Sequence, residues 1–154
     1  TLSSSSAASD VYKRQVSAKA LAVAAANAWD LTASLRFVEG SWYDAVPAGE
    51  GFDLIVSNPP YVANDDPHLG QGDVRFEPRG ALTDGADGLE DLRRIVAGAH
   101  RHLKAGGALW MEHGWDQAEA VRTLLADAGF ADVHSRQDLA GIERISGGRW
   151  PARR

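Results

Sequence analysis

An apolar segment that runs directly into two prolines is the feature that most limits how this chain can fold. Residues 52–57 (Phe-Asp-Leu-Ile-Val-Ser) have the composition of a buried strand, and Asn58-Pro59-Pro60-Tyr61 follows at once. Each proline lacks an N–H and holds the residue before it extended, so the strand ends there and the loop is stiff. Open α/β sheets place ligand sites at the carboxyl ends of their strands. We therefore expect the loop to hold the Asn58 side chain and nearby carbonyls as fixed acceptors for a planar –NH2 group.

Helices and strands alternate along the rest of the chain. Helices are predicted at 18–29 after an N-cap at Ser17, from a cap at Asp87 to Leu103, and at 118–128, and strands at 35–39, 52–57, 108–112, 131–136 and 142–146. This alternation predicts an α/β fold with a mostly parallel sheet covered by helices, and the two closely joined last strands predict one antiparallel strand near an edge. Residues 61–86 form a long loop, of a length that is usually functional or disordered.

The composition is that of an ordinary globular protein. The 154 residues are enough for one domain with a core, and 44% of them are hydrophobic. The net charge of −5 argues against broad electrostatic binding of nucleic acid. The lack of cysteine excludes disulfides and, with only scattered histidines, leaves no metal site. No apolar stretch approaches the ~20 residues of a membrane helix.

The two ends of the chain do not share the pattern of the middle. Residues 1–15 begin Ser/Ala-rich and show neither strand nor helix period, so we expect a disordered or foreign lead segment, with a native disordered tail as the alternative. Residues 150–154 are expected to be a frayed tail. The chain begins at Thr1 and its one methionine is Met111, which suggests a fragment, a processed product or a truncated gene model.

The Asn58–Tyr61 motif and its strand resemble those of Rossmann-like, class I methyltransferases that use S-adenosylmethionine to methylate planar amino or amide nitrogens. The flanks resemble more closely the protein-(glutamine) methyltransferases of peptide chain release factors. This resemblance covers residues 16–149, which it identifies as the carboxyl-terminal part of a catalytic domain. The flanking segments that carry it are Asp66-Pro67-His68-Leu69, Gly72-Asp73-Val74-Arg75-Phe76-Glu77-Pro78, Ala81-Leu82 and Leu109-Trp110-Met111-Glu112-His113-Gly114-Trp115.

The resemblance implies a reaction and a role for each motif residue. A methyl group passes from S-adenosyl-L-methionine to the side-chain amide nitrogen of the glutamine in the Gly-Gly-Gln motif of a release factor. The Asn58 side-chain oxygen and the Pro59 carbonyl would each accept one N–H of that amide. Tyr61 would pack against the amide and Pro60 would shape the wall of the site. Trp42 would lie beside the adenine of the cofactor, and Asn58 would also contact the cofactor.

For four other polar residues, the sequence is consistent with two roles each. Arg75 and Glu77 lie in the long loop and either shape the substrate pocket or form a surface ion pair. Glu112 and His113 end a predicted strand and either donate supporting hydrogen bonds or take part in catalysis.

The family resemblance further implies a cytoplasmic monomer whose partner is a release factor, with no specific binding of nucleic acid and no membrane association.

One expected part of the family's cofactor site is not found in the sequence. The family's site begins with a strand and a glycine-rich loop of the type Asp-x-Gly-Thr-Gly-Ser-Gly, which nothing here matches, and Gln15 falls where an acidic residue binds the ribose. We expect an apolar edge where the first strands are missing, and weak or no cofactor binding by the chain alone. A nucleic-acid amino-methyltransferase and an inactive fragment or binding module remain as alternative hypotheses.

Overall fold

The structure, a computed structural model, describes residues 12–15, 17–30, 35–44, 46 and 50–152. The chain divides into two compact units, Thr1–Ala48 and Gly49–Arg154. Within the described ranges, no helix is both long and apolar enough to cross a membrane.

The first unit contains a strand, a helix and a second strand. β1 (Tyr12–Gln15) pairs in parallel with β2 (Arg36–Glu39), and α1 (Ala18–Asp30) connects them. The Ser17 hydroxyl accepts the Ala20 N–H at 3.3 Å, and the Ser17 carbonyl accepts the Leu21 N–H at 3.0 Å, which confirms the predicted N-cap.

β1 was not expected, because it lies within the segment 1–15 that the sequence indicated to be disordered or foreign. Its four residues are mostly polar, and the strand depends on pairing with β2, which no local pattern reveals. The remainder of that segment lies outside the described residues, and the predicted boundary at residue 16 stays a prediction.

The second unit is built on a four-stranded sheet. Its strands are β3 (Phe52–Ser57), β4 (Leu103–Glu112), β5 (Ala131–Gln137) and β6 (Glu143–Arg149), in the spatial order β3-β4-β6-β5. β3 and β4 are parallel, whereas β6 is antiparallel to both of its neighbours. Three strands therefore share one direction and the single reversed strand lies next to the edge, which confirms the predicted mostly parallel sheet.

Two helices and β4 supply most of the core of this unit. α3 (Glu90–Ala99) buries Leu92, Ile95, Val96 and Ala99, and α4 (Ala118–Asp127) buries Val121 and Leu125. The helix predicted to reach Leu103 ends at Ala99, because Leu103 begins β4 and pairs with β3 there. Spacings of three and four residues place such side chains on one face of a helix, and each buried aliphatic side chain contributes ~1.5–3 kcal/mol. The buried apolar residues include Leu92, Ile95, Val96, Ala99, Leu103, Leu109, Met111, Val121, Leu125 and Phe130.

The start of α3 differs from the prediction. The helix begins at Glu90, and the N–H of that residue is accepted by the Asp84 carboxylate at 2.8 Å. Gly88 lies between Asp87 and the helix with a φ of +80°, a left-handed conformation that no α-helix contains. The predicted cap at Asp87 is therefore wrong, and Asp84 takes that role.

Three short helical turns divide the long segment 61–86. Two 3-10 helices, Pro67–Gly70 and Gly72–Phe76, are followed by α2 (Arg79–Leu82). The Asp66 side chain accepts the His68 N–H at 2.8 Å at the start of the first turn. This segment is therefore an ordered chain of turns rather than a featureless loop.

The carboxyl-terminal end is held in place as far as Trp150. The Trp150 N–H donates to the Gly107 carbonyl at 2.7 Å, and the Trp150 carbonyl accepts the Gly106 N–H at 2.8 Å. The indole ring meets Phe130 edge-on with 5.3 Å between ring centroids. Trp150 is therefore not part of the frayed tail predicted for residues 150–154, because backbone pairing and an aromatic contact anchor it.

The edge strand of the sheet exposes apolar side chains. β3 is the outermost strand on its side, and Leu54 and Val56 are 54% and 71% exposed. Whether missing first strands leave an apolar edge at β3 stays a prediction.

Candidate functional site

The predicted motif lines a hollow at the carboxyl end of β3. This hollow has a volume of about 180 Å³ and is lined by Asn58, Pro59, Tyr61, Val62, Ala81 and Leu82. Asn58 is exposed, Pro59 is buried and Pro60 is half-buried. The hollow thus places the accessible side-chain amide of Asn58 beside the side chains of Pro59 and Tyr61.

Backbone pairing with α2 and the residues after it forms the opposite wall. The Val62 N–H donates to the Leu82 carbonyl at 2.9 Å, and the Asn64 N–H donates to the Ala86 carbonyl at 2.9 Å. Val62 and Thr83 form an isolated parallel bridge. Ala81 and Leu82, which the sequence analysis singled out as flanks of the motif, therefore lie beside it in space.

The Tyr61 ring is fixed from its hydroxyl end. The phenol donates to a Glu112 carboxylate oxygen at 2.9 Å, and an Arg144 Nη2 donates to the phenol oxygen at 3.4 Å. Burial, followed by the Glu112 carboxylate, raises the pKa of Tyr61 above its usual value. Tyr61 therefore remains a neutral phenol near neutral pH and offers a rigid ring to the hollow.

Asp84 organises the turn between α2 and α3. One of its carboxylate oxygens accepts the N–H groups of Ala86 at 2.8 Å and Gly88 at 3.1 Å, and the other accepts that of Glu90. Sequence reasoning missed this residue, although Thr-Asp-Gly after a helical segment is a recognised signal for an Asp-stabilised turn.

His113 is the end of a buried chain of hydrogen bonds. Its Nδ1 lies 2.8 Å from the Gly114 carbonyl, and its Nε2 lies 2.8 Å from the Ser146 hydroxyl. The Ser135 hydroxyl, 2.7 Å from that of Ser146, also accepts from Arg122 at 2.6 Å. A carbonyl can only accept, so Nδ1 carries the proton, Nε2 accepts from Ser146, and each hydroxyl donates toward the histidine.

This arrangement bears on the two roles left open for Glu112 and His113. Burial lowers the pKa of His113, which favours the neutral ring. Both of its nitrogens are engaged, and the side chain is 0% exposed. The geometry favours a supporting role for His113, and for Glu112 a role in holding Tyr61.

Arg75 and Glu77 both have exposed side chains. The Arg75 guanidinium lies 4.7 Å from the centre of the Phe76 ring, and Phe76 is 74% exposed. Whether Arg75 and Glu77 shape a substrate pocket stays a prediction. In the part of the chain that is described, no three His, Asp or Glu side chains come together as a metal site would require.

Trp42 belongs to the first unit and has an unusual backbone. It lies in the turn after β2, where the Asp44 N–H donates to the Ser41 carbonyl at 3.0 Å, and its φ is +44°. A left-handed conformation in a bulky residue costs ~1–3 kcal/mol, and residues held in such conformations cluster at functional sites. The half-buried Trp42 ring remains a candidate for contact with a ligand.

Comparison with known proteins places these features in a family. No protein-family model matches the chain. It is 63% identical over 139 residues to a release factor glutamine methyltransferase of Bordetella pertussis, covering 90% of this chain and 52% of that protein. It is 67% identical over 117 residues to the protein of that name from Burkholderia pseudomallei, covering 76% of this chain and 41% of that protein. The chain spans about half the length of the curated relatives it matches.

A solved structure agrees with these relatives. The protein-(glutamine-N5) methyltransferase (release factor-specific) of Alicyclobacillus acidocaldarius superposes with a TM-score of 0.54 at 25% identity, over 93% of this chain and 80% of that one. The fold is that of a Rossmann-like methyltransferase. By its sequence and fold, the chain belongs to the family of release factor glutamine methyltransferases.

Proposed function

We propose that this chain carries the substrate side of an enzyme that methylates the glutamine amide of the Gly-Gly-Gln motif in peptide chain release factors. The observation that carries the proposal is the hollow at the end of β3, which Asn58, Pro59 and Tyr61 line together. The names of the relatives indicate the substrate class. The net charge of −5 also favours a protein over nucleic acid as the substrate.

Asn58 and Pro59 would act as paired acceptors for the substrate amide. An amide nitrogen is a poor nucleophile because its lone pair is delocalised into the carbonyl. With the Asn58 side-chain oxygen and the Pro59 carbonyl each accepting one N–H, the nitrogen is held still and its lone pair can turn toward the methyl donor. The gain comes from positioning and from preorganised dipoles rather than from a strong base. The proton that the nitrogen loses passes to water.

Tyr61 and Pro60 would complete the walls around that amide. Because Glu112 and Arg144 hold the phenol oxygen, the Tyr61 ring presents a fixed face against which a planar amide can pack. Pro60 keeps the chain extended between the acceptors and the ring. Val62 and Leu82 also line the hollow.

S-adenosyl-L-methionine, when bound, supplies the electrophilic methyl group. The hollow of about 180 Å³ fits an amide and a methyl group, and Asn58 at its exposed edge is suited to contact both substrate and cofactor. The strained, half-buried Trp42 supports the proposal that its ring lies beside the adenine. We further propose that the protein acts in the cytoplasm, where release factors work, and that it is a monomer.

Labelled methyl transfer tests the proposal. The protein is incubated with methyl-labelled S-adenosyl-L-methionine and one of three acceptors: a bacterial release factor, the same factor with the Gly-Gly-Gln glutamine replaced by alanine, and double-stranded DNA. We expect label in the first acceptor alone, and in low yield, because weak cofactor binding is expected of the chain alone. Label in the alanine form or in DNA would contradict the proposed substrate, and no label in any acceptor would contradict activity of this chain.

A further inference from the structure

Gln117 joins three loops at the end of the sheet where the motif lies. Its side-chain oxygen accepts the Gly114 N–H at 2.7 Å, and its side-chain nitrogen donates to the Tyr61 carbonyl at 3.0 Å and to the Gly88 carbonyl at 3.3 Å. Tyr61 follows β3, Gly114 follows β4 and Gly88 precedes α3. One side-chain amide therefore links the motif to both neighbouring loops.

The packing around this amide leaves no space for side chains on its glycine partners. A Cβ on Gly88 would lie 2.8 Å from the Gln117 nitrogen and would collide with the Tyr61 carbonyl. A Cβ on Gly114 would lie 3.0 Å from the Gln117 oxygen. Gly88 also has a φ of +80°, which suits glycine. The contact is thus a close fit rather than a loose polar cluster.

The Gln117 side chain does not serve the helix on which it stands. Gln117 is the N-cap residue of α4, yet its side chain makes no capping hydrogen bond to the first turn. All of its side-chain hydrogen bonds point to the three loops instead. Helix stability alone therefore does not explain this residue.

Pro59 and Pro60 make the motif rigid, so that a contact at Tyr61 also affects the position of Asn58. Their rings fix φ, and each restricts the residue before it, so residues 58–61 move nearly as one rigid piece. The Tyr61 carbonyl is the point at which Gln117 holds that piece. We propose that Gln117 is a positioning residue that sets the placement of the Asn58 and Pro59 acceptors through the Tyr61 carbonyl. The inference rests on the proposed function of these acceptors.

The variant Gln117→Glu isolates the donated hydrogen bonds. Glutamate has the same shape and keeps the acceptor for the Gly114 N–H, but it loses both donors and places negative charge against two carbonyl oxygens. Gln117→Met removes donors and acceptor without adding charge, and serves if the glutamate variant fails to fold. Gln137→Glu is the matched control, since Gln137 is exposed at the end of β5.

Two readouts decide the inference. In hydrogen exchange, we expect the amides of residues 61–64 to exchange about tenfold faster in Gln117→Glu and Gln117→Met, while those of α4 and β4 keep their rates. In methyl transfer to a release factor, we expect kcat to fall roughly ten- to a hundredfold with the KM for S-adenosyl-L-methionine unchanged, because misplaced groups lower the rate of the reaction step. Gln137→Glu should change neither quantity.

Four results would contradict the proposed role of Gln117 or of the motif. Unchanged exchange at residues 61–64 would overturn the inference, as would uniformly faster exchange across the whole of the second unit, which would indicate a merely structural residue. An unchanged kcat despite faster local exchange would overturn the positioning role. If the unsubstituted protein methylates no release factor, the proposed function fails, and the exchange comparison by itself then decides whether Gln117 holds the motif.

Discussion

The Tyr61 phenol donates a 2.9 Å hydrogen bond to the Glu112 carboxylate, across 51 positions of sequence. It connects the loop after β3 with the last residue of β4, the neighbouring parallel strand. A phenol–carboxylate bond in a half-buried setting is stronger than a bond between neutral groups, and it fixes both the height and the tilt of the ring.

A double-mutant cycle measures how strongly this pair is coupled. We expect Tyr61→Phe and Glu112→Gln each to lower the free energy of unfolding by about 1–2 kcal/mol, because each removes or weakens the charge-assisted bond. The double variant should lose about 1 kcal/mol less than the sum of the two. Urea unfolding of the four proteins checks this, and strictly additive losses would mean that the bond does not contribute to stability.

The ionisation of Tyr61 provides an independent probe of the same contact. Burial and the Glu112 carboxylate raise the pKa of Tyr61, whereas Arg144 acts in the opposite direction. Glu112→Gln should therefore lower the pKa of Tyr61, as seen in an ultraviolet titration of tyrosinate with Tyr61→Phe subtracted. A pKa that stays in place or rises would contradict the described contact.

The raised pKa of Tyr61 also predicts how stability changes at alkaline pH. The folded state holds the phenolic proton more tightly than the unfolded state, so the unfolded protein releases it first, near pH ~10. This contribution to stability is present below that pH and is lost as the pH rises through the pKa of the folded protein. Tyr61→Phe should reduce the alkaline loss of stability in unfolding experiments.

The lowered pKa of His113 predicts that the protein loses stability at acidic pH. Burial lowers the pKa of His113, so below pH ~6.5 the unfolded state takes up a proton that the folded state resists. The free energy of unfolding should therefore fall as the pH drops from about 7.5 to 5.5, a range centred on the ordinary pKa of histidine. Replacing His113 with Gln should lower stability at neutral pH but flatten this part of the pH dependence, and an equally steep dependence in the variant would contradict the assignment.

Gly85 and Gly88 have nearly the same backbone conformation but different surroundings. Replacing each with alanine therefore distinguishes the cost of a left-handed backbone from the cost of a steric clash. Gly85 and Gly88 have φ values of +79° and +80°, but a Cβ on Gly85 meets nothing within 4 Å. Gly85→Ala should cost only about 1 kcal/mol for the left-handed conformation. Gly88→Ala should cost about 2–4 kcal/mol, because the new methyl group also displaces the Tyr61 carbonyl or Gln117. Thermal unfolding of both variants provides the comparison, and equal costs would contradict the close packing at Gly88.

The sequence predicted those parts of the molecule that depend on the chemistry of neighbouring residues or on a short repeat of apolar residues. The strand 52–57 ends at the prolines because they cannot continue it, and Ser17 begins α1 because its hydroxyl caps the first turn. Leu92, Ile95, Val96 and Ala99 repeat at helical spacing and are buried on one face of α3. The candidate motif could be recognised for the same reason, since residues 58–61 are contiguous in the sequence.

The parts that it missed depend on partners distant in the chain. β1 exists by pairing with β2, Trp150 is anchored by Gly106 and Gly107, and neither pairing leaves a periodic signal of its own. The cap of α3 was placed at Asp87 instead of Asp84, because the two carboxylates are equivalent until the left-handed turn at Gly88 is known.

Sequence alone therefore determined the make-up of the candidate site: a strand, a stiff loop and the proposed acceptors Asn58 and Pro59, whose order is set by covalent geometry. Tertiary structure alone decided what holds that loop in place. Glu112 and Gln117 reach Tyr61 from 51 and 56 positions away, one at the hydroxyl and one at the carbonyl. Such contacts arise only when parallel strands bring their carboxyl ends together, and no local pattern of residues records them.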